Sequence, residues 1–286
     1  MNQNNLNKII KEALAIEARE AKEAGALGFM ARALIQATMP HKQANGNEFV
    51  RKNGAFTLTI LSPSEVGLPY GTIPRLLTAW ITTEAVRTKQ QELILGRSLS
   101  GFMSQLGLIP TGGRWGSITR LRDQMKRLFS ASISCTYENS NHEAGINMQL
   151  AEEYHLWWEP KAPEQAVLWD STLKLSNKFF DEITANPVPL DMDALKTLKR
   201  SPMALDVYCW LTYRMSYLKC QTLIPWAVLQ TQFGADYATS SQGLRDFKRA
   251  FLRELKKVHI VYSVANVEAG KNDLILKPSQ THIPTL

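Results

Sequence analysis

One order of elements occurs twice in this chain of 286 residues, and that duplication limits the folds open to it more than any other feature. Each copy reads as helix, short helix, turn, basic helix and β-hairpin. In the first copy, Ile73 to Lys89 carries an apolar stripe of Leu77, Trp80, Ile81, Ala85 and Val86, with Pro74 suited to the first turn. Ser98 to Gly107 predicts a short capped helix that glycine stops. Residues 110–116 (PTGGRWG) form a turn, and Ser117 is expected to cap a helix from Ile118 to Ser130. Strands are expected over 132–137 and 145–150, on either side of a polar turn. In the second copy, Leu195 to Tyr217 is helical and Pro225 to Gly234 is a short helix. Asp236 to Ser240 is the turn, Ser241 to Val258 the basic helix, and strands are expected over 260–264 and 274–276. Leu121-Arg122-Asp123 and Leu244-Arg245-Asp246 fall at the same place in the two copies.

This layout is that of a winged helix, in which a second helix enters a DNA groove and a hairpin flanks it. The expected fold is therefore α+β, with two tandem winged-helix domains preceded by a helical N-terminal segment. The boundaries read as 1–65 for that segment with its strand, 66–188 for the first winged helix and 189–286 for the second. Leu6 to Thr38 reads as helix, broken near Gly25 and Gly28, and Phe56–Leu61 reads as a strand. Asn186-Pro187-Val188-Pro189 is expected to act as a stiff linker.

The faces of the two basic helices support the same expectation. At roughly 100° per residue, Leu244, Phe247, Phe251, Leu255 and Val258 share one face, as do Ile118, Leu121, Met125, Leu128 and Phe129. Basic side chains lie on the other face of each. Such a helix is often merely solvated, but two in matched context favour a shared anionic partner. The candidate DNA-binding residues are Arg114, Arg120, Arg122, Lys126 and Arg127 in the first copy. In the second they are Ser241, Arg245, Lys248, Arg249 and Lys256, with Lys271 in the hairpin turn. Arginine grips guanine through two donors, so Arg120, Arg245 and Arg249 are the base-contact candidates, and lysine serves as a phosphate charge. The turn over 111–114 is expected to offer backbone N–H groups to a phosphate.

Charge is segregated along the chain. The total is +7, with a pI near 9.3. Gly71 to Ser130 holds nine basic and three acidic residues, whereas Glu138 to Asp170 holds seven acidic residues opposed only by Lys161. That acidic block is expected to face away from a phosphate backbone. Its aromatic run, Tyr154 to Glu159, is expected to serve packing more than base stacking. Three widely spaced cysteines fit neither a disulfide framework nor a zinc site. With no apolar run of bilayer length and a polar start, a cytoplasmic protein without a membrane partner is expected. No phosphate-binding loop, nucleophile elbow or paired-histidine metal motif occurs, so no enzyme activity, cofactor or metal is expected.

Residues 68–77 (LPYGTIPRLL), 79–89 (AWITTEAVRTK), 95–100 (LGRSLS) and 110–116 resemble plasmid replication initiators of the RepA type, an iteron-binding family. Residues 28–32 (GFMAR) and Pro40-His41 fit as well, and the likeness extends from about Gly28 to Leu276. The resemblance implies recognition of origin repeats (iterons) in double-stranded plasmid DNA, help in opening the origin, and recruitment of a host initiator and replicative helicase. It also implies plasmid copy control and both monomers and homodimers. A winged-helix transcriptional repressor without origin activity is the alternative, and a nicking enzyme is disfavoured by the lack of paired histidines. Purified protein is accordingly expected to show no ATP turnover and no DNA cleavage. Either activity, if abolished by substituting a residue of this chain, would contradict this reading.

Overall fold

A computed structural model describes residues 38–53, 56–138, 143–185, 188 and 190–283. The expected N-terminal helices lie outside the described residues, Thr38 apart. So do the turn over 139–142 and, except for Val188, the expected linker. Within the described residues the chain begins with a hairpin of β1 (Glu48–Asn53) and β2 (Phe56–Leu61). The first repeat follows: α1 (Thr72–Thr88), β3 (Glu92–Gly96), α2 (Leu99–Gln105), α3 (Ser117–Phe129), β4 (Ser132–Glu138), β5 (Glu143–Gln149), β6 (Ala151–His155) and β7 (Ser171–Leu175). Helices α4 (Asn177–Ala185) and α5 (Met192–Leu198) connect it to the second. That repeat comprises α6 (Pro202–Tyr217), β8 (Thr222–Pro225), α7 (Trp226–Phe233), α8 (Ser241–Val261), β9 (Val267–Ala269) and β10 (Asp273–Leu276). The fold is mixed α and β, and its sheets are antiparallel.

The repeat is visible in strand order. One three-stranded sheet runs β3-β7-β6 and the other β8-β10-β9, so in each the last strand in sequence lies between the other two. The hairpin expected to serve the first repeat does something else. Strands β4 and β5 join β1 and β2 in a four-stranded sheet ordered β1-β2-β4-β5. The register explains the choice: Leu58 faces Cys135 and Ile60 faces Ile133, so buried side chains of β2 and β4 fall on one face. Residues 48–61, read in the sequence as part of an N-terminal segment, thus share a sheet with β4 and β5. The counterpart of β9 and β10 is β6 and β7, drawn partly from the acidic block. Strand β6 buries only Ala151, so it lacks the alternation that marks a half-buried strand.

Two helix boundaries also differ from expectation. The helix expected from Leu195 to Tyr217 is two helices. Ser201 accepts a hydrogen bond from the Ala204 amide, and Pro202 takes the first turn of α6, where its missing N–H costs nothing. Helix α8 continues through Val261, so the strand expected over 260–264 is absent and β9 begins at Val267. Tyr262 closes it, its amide donating to the Val258 carbonyl and its ring fully buried. The cysteines Cys135, Cys209 and Cys220 are free, and burial pushes the Cys135 and Cys209 thiols up to about 12.

The two repeats meet on a buried ion pair. Arg75 of α1 reaches Asp206 of α6 through two hydrogen bonds, Nε to Oδ1 at 2.7 Å and Nη2 to Oδ2 at 2.9 Å. His41 Nε2 lies 2.7 Å from the same Oδ2. The remaining guanidinium donors go to the carbonyls of Met39, Pro40 and Gly71. Asp206 is 6% exposed and Arg75 8%. Burial alone would raise the Asp206 carboxyl, yet Arg75 and His41 hold it below its usual value of 3.8. Beside this hub β1 packs against α7, where Arg51 donates to Thr38 Oγ1 and Thr38 donates to the Gln232 carbonyl. Burial lowers Arg51 to about 10, which leaves it charged at neutral pH.

Asp206→Asn should cost about 3–5 kcal/mol of stability, because it strands a buried guanidinium. Urea denaturation measures this, and the double variant Arg75→Met/Asp206→Leu should cost less than the sum of the single changes. The Asp206 contribution is full above pH 3.8 and lost as pH falls through the lower folded value. The Asp206→Asn protein should therefore lose less stability than the parent on acidification.

Candidate nucleic-acid interface

Helix α3 has two chemically distinct faces. Ile118, Leu121, Met125, Leu128 and Phe129 are buried, as the sequence predicts. Arg120, Arg122 and Lys126 are exposed, and among the described residues none of them has a salt-bridge partner. At roughly 100° per residue, Thr119, Arg122 and Lys126 fall within about 60° of one another and make one stripe. Arg120 stands to one side, on the wall of a cleft of about 400 Å³ that Lys42, Tyr70 and Asp123 also line. Lys42 is a cation the sequence reading did not single out, because nothing in its own segment links it to α3.

Arg127 is not part of that exposed stripe. Its side chain is 16% exposed and bonds Asp123 at 2.8 Å. It also donates to the Leu68 carbonyl at 3.2 Å, and its guanidinium lies 5.4 Å from the Tyr70 ring centre. Gln124, also buried, accepts the Tyr70 amide at 2.8 Å. Together the two side chains fix the 67–70 loop to α3. Arg127, a candidate for DNA contact in the sequence, is half-buried here, with Nε on Asp123 and Nη1 on the Leu68 carbonyl.

The turn before α3 is closely bonded. Gly116 occupies the capping position expected of Ser117 and has no side chain to offer. Thr111 supplies the cap from across the turn: its Oγ1 accepts the Ser117 amide at 2.8 Å, and Ser117 Oγ accepts the Thr111 amide at 2.9 Å. The Thr111 N–H expected to meet a phosphate is thus occupied. Ser117 Oγ also donates to the Ile109 carbonyl at 2.6 Å. Arg114 and Trp115 project from this turn, with the guanidinium 5.1 Å from the indole centre.

Helix α8 repeats the plan with different details. Phe247, Phe251, Leu255 and Val258 are buried and Leu244 is half-buried. Leu252, which fits the basic face poorly in the sequence, packs partly buried against the core. Ser240 caps the helix by accepting the Gly243 amide at 3.1 Å, leaving Ser241 exposed in the first turn. A Cβ at Gly243 would lie 1.9 Å from the Ala238 carbonyl oxygen, and one at Gly116 would lie 2.1 Å from that of Thr111. Both basic helices therefore begin in close contact with the turn behind them.

Arg245, Arg249 and Lys256 are exposed on α8, Arg249 with Asp246 at 3.1 Å. Lys248 is committed elsewhere. Its Nζ bonds the carbonyls of Gly270 and Lys271, each at 2.9 Å, and lies 4.7 Å from the Trp226 ring centre. It anchors the β9–β10 turn, from whose tip Lys271 is exposed. Arg253 and Lys257 both pair with the buried carboxylate of Glu254. Among the described residues no cluster of His, Cys, Asp or Glu could hold a metal ion, and no helix is long and apolar enough to cross a membrane.

The family described as plasmid-encoded RepA protein matches residues 68–226, more than half of the chain and the whole of α3 with its turn. The chain belongs to this family of plasmid replication initiators. The matched interval contains the strings at 68–77, 79–89, 95–100 and 110–116, continues to Trp226, and does not include residues 28–41. In fold this RepA-family chain is similar to two crystal structures of RctB domains 2 and 3. One has a TM-score of 0.54 at 13% identity, covering 86% of this chain and 96% of the other. The second has a TM-score of 0.59 at 12% identity, covering 89% and 99%. A comparison with curated protein sequences finds no match.

Arg127→Ala in this RepA-family chain should lower stability by about 1–3 kcal/mol, since it removes the bond to the Leu68 carbonyl and the ion pair with Asp123. Arg122→Ala and Lys126→Ala should stay within about 0.5 kcal/mol. Chemical denaturation of the three variants distinguishes the packing cation from the free ones.

Proposed function

We propose that the chain is a sequence-specific double-stranded DNA-binding initiator that reads origin repeats through two winged-helix units, with α3 and α8 as the reading helices. The observation that carries this is the duplicated arrangement. Each of these helices buries an apolar face, exposes cations on the other, and belongs to a repeat whose three-stranded sheet has the same strand order. Membership in the RepA family supplies the biological setting: plasmid origin DNA. Arg120, Arg122, Arg245 and Arg249 are the base-contact candidates. Lys126, Lys256, Lys271, Arg114 and Ser241 are the candidates for the backbone. Lys248 acts indirectly by holding the β9–β10 turn that carries Lys271.

Binding both helices to one duplex gives the second helix a high effective concentration once the first is seated. Base contacts then lie about one helical turn, roughly 10 bp, apart. Origin opening, recruitment of the host initiator and helicase, and homodimerisation are downstream steps that the same reading expects, all without a cofactor.

Duplexes selected from a random pool by the full chain supply the test. A single bound protein should protect two major-groove patches in a direct, nonpalindromic arrangement. Arg245→Ala and Arg249→Ala should each cost about 1–3 kcal/mol on the selected site and relax one base position. Lys126→Ala should weaken all sequences alike and reduce the salt slope by about one. A lone palindrome bound by a dimer, with no tandem repeats, would favour the transcriptional-repressor alternative instead.

A further inference from the structure

Of the seven tryptophans, Trp80, Trp158, Trp210 and Trp226 are buried. Three are exposed: Trp115 at 79%, Trp169 at 63% and Trp157 at 53%. Trp157 and Trp169 lie in the acidic block, close in sequence to Glu153, Glu159 and Asp170, where phosphates are repelled. Trp115 lies in a different setting. The Arg114 guanidinium lies over its ring at 5.1 Å, and its turn leads into α3, which carries Arg122 and Lys126. Thr119 Oγ1 donates to the Gly113 carbonyl at 2.9 Å, which lays the turn against the start of that helix.

The turn presents the indole from a stiff base. The reciprocal Thr111–Ser117 bonds, the Ser117 bond to Ile109, and the Gly116 amide donating to Gly113 at 3.1 Å all fix residues 109–117. Ile109, on the same turn, is 77% exposed. Little freedom remains to be lost when a partner docks here. The matching turn of the second repeat does the opposite with its aromatic: Tyr237 packs on Phe247 with ring centres 5.6 Å apart. Exposure of an aromatic is thus particular to the first repeat and does not come with the repeated plan.

We propose that Trp115 is a base-stacking element, a site for a DNA base freed from its stack at an opened or distorted step. An indole accepts any base on its open face, while Arg114 covers the other face and favours the adjacent phosphate. Apolar side chains placed beside phosphate-binding cations commonly enter unstacked base steps. The inference rests on the DNA-binding reading above and adds a role in which the initiator holds DNA that is no longer fully paired.

The test compares a labelled mixed-sequence duplex with the same duplex carrying a central mismatched bubble, at fixed salt. The full chain should prefer the bubble by roughly five- to one-hundredfold, the range that one stacked base supplies. Trp115→Ala should erase that preference while keeping affinity for the intact duplex within about threefold, the range of a surface change. Trp115→Phe should retain most of the preference, and Trp169→Ala should retain all of it. A 2-aminopurine placed in the bubble should be quenched by the parent chain and not by Trp115→Ala. A preference that survives Trp115→Ala overturns the proposal. Equal binding of both duplexes, weakened alike by Arg122→Ala, also overturns it and leaves the DNA-binding reading intact. No binding to either duplex overturns both.

Discussion

The carboxylate of Asp206 is removed from water between the two repeats, and a buried charge must be met by an opposite one. Arg75 meets it with two parallel hydrogen bonds, and its other donors reach back to the carbonyls of Met39, Pro40 and Gly71. One guanidinium thus connects α1, α6 and the segment that leads into β1. A pair buried this well gives little net stability over an apolar replacement, but it specifies a geometry, because either partner alone is costly. The placement of α3 relative to α8 depends on that geometry, since each basic helix belongs to the repeat on its own side of the pair. The contact of β1 with α7, through Arg51, Thr38 and Gln232, adds a second polar connection beside it.

Cations on the two basic helices divide into those that hold the protein together and those left for a partner. Arg127 and Lys248 occupy similar roles in their repeats. Arg127 takes one loop carbonyl and Lys248 two, and each lies near an aromatic ring, Tyr70 for Arg127 and Trp226 for Lys248. Glu254 draws Arg253 and Lys257 toward itself in the same way. Among the described residues, Arg120, Arg122 and Lys126 on α3 and Arg245 and Lys256 on α8 are exposed without a salt-bridge partner, while exposed Arg249 pairs with Asp246. Two of these cations, Arg122 and Lys126, lie about one turn apart on the same stripe of α3.

The acidic block has a structural use. Strand β6 and its partner β7 complete the sheet of the first repeat, with Leu173 and Leu175 of β7 fully buried. Trp158, from the aromatic run, stacks on Phe102 at 5.1 Å and donates to the Gly96 carbonyl, so the connection after β6 is tied to α2 and β3. The neighbouring Trp157 remains exposed. The packing role expected for this run is therefore met by one of its two tryptophans.

The sequence by itself determined the duplicated order of long helix, short helix and basic helix and the buried faces of α3 and α8. Both are local: an apolar period of 3.6 residues and a capping residue act within a few turns of chain. It also contained the family, through unusual strings that lie inside the matched interval. Only the tertiary structure decided which hairpin completes the first repeat, since β6 buries only Ala151 and carries no strand pattern, and the choice depends on whether β2 or β7 lies alongside. The same holds for the Arg75–Asp206 pair, 131 residues apart, which no spacing rule connects. It holds for Arg127 and Lys248, whose sequence neighbourhoods match those of the free cations. A side chain's charge is written in the sequence, but whether that charge is already used depends on which loop folds back against it.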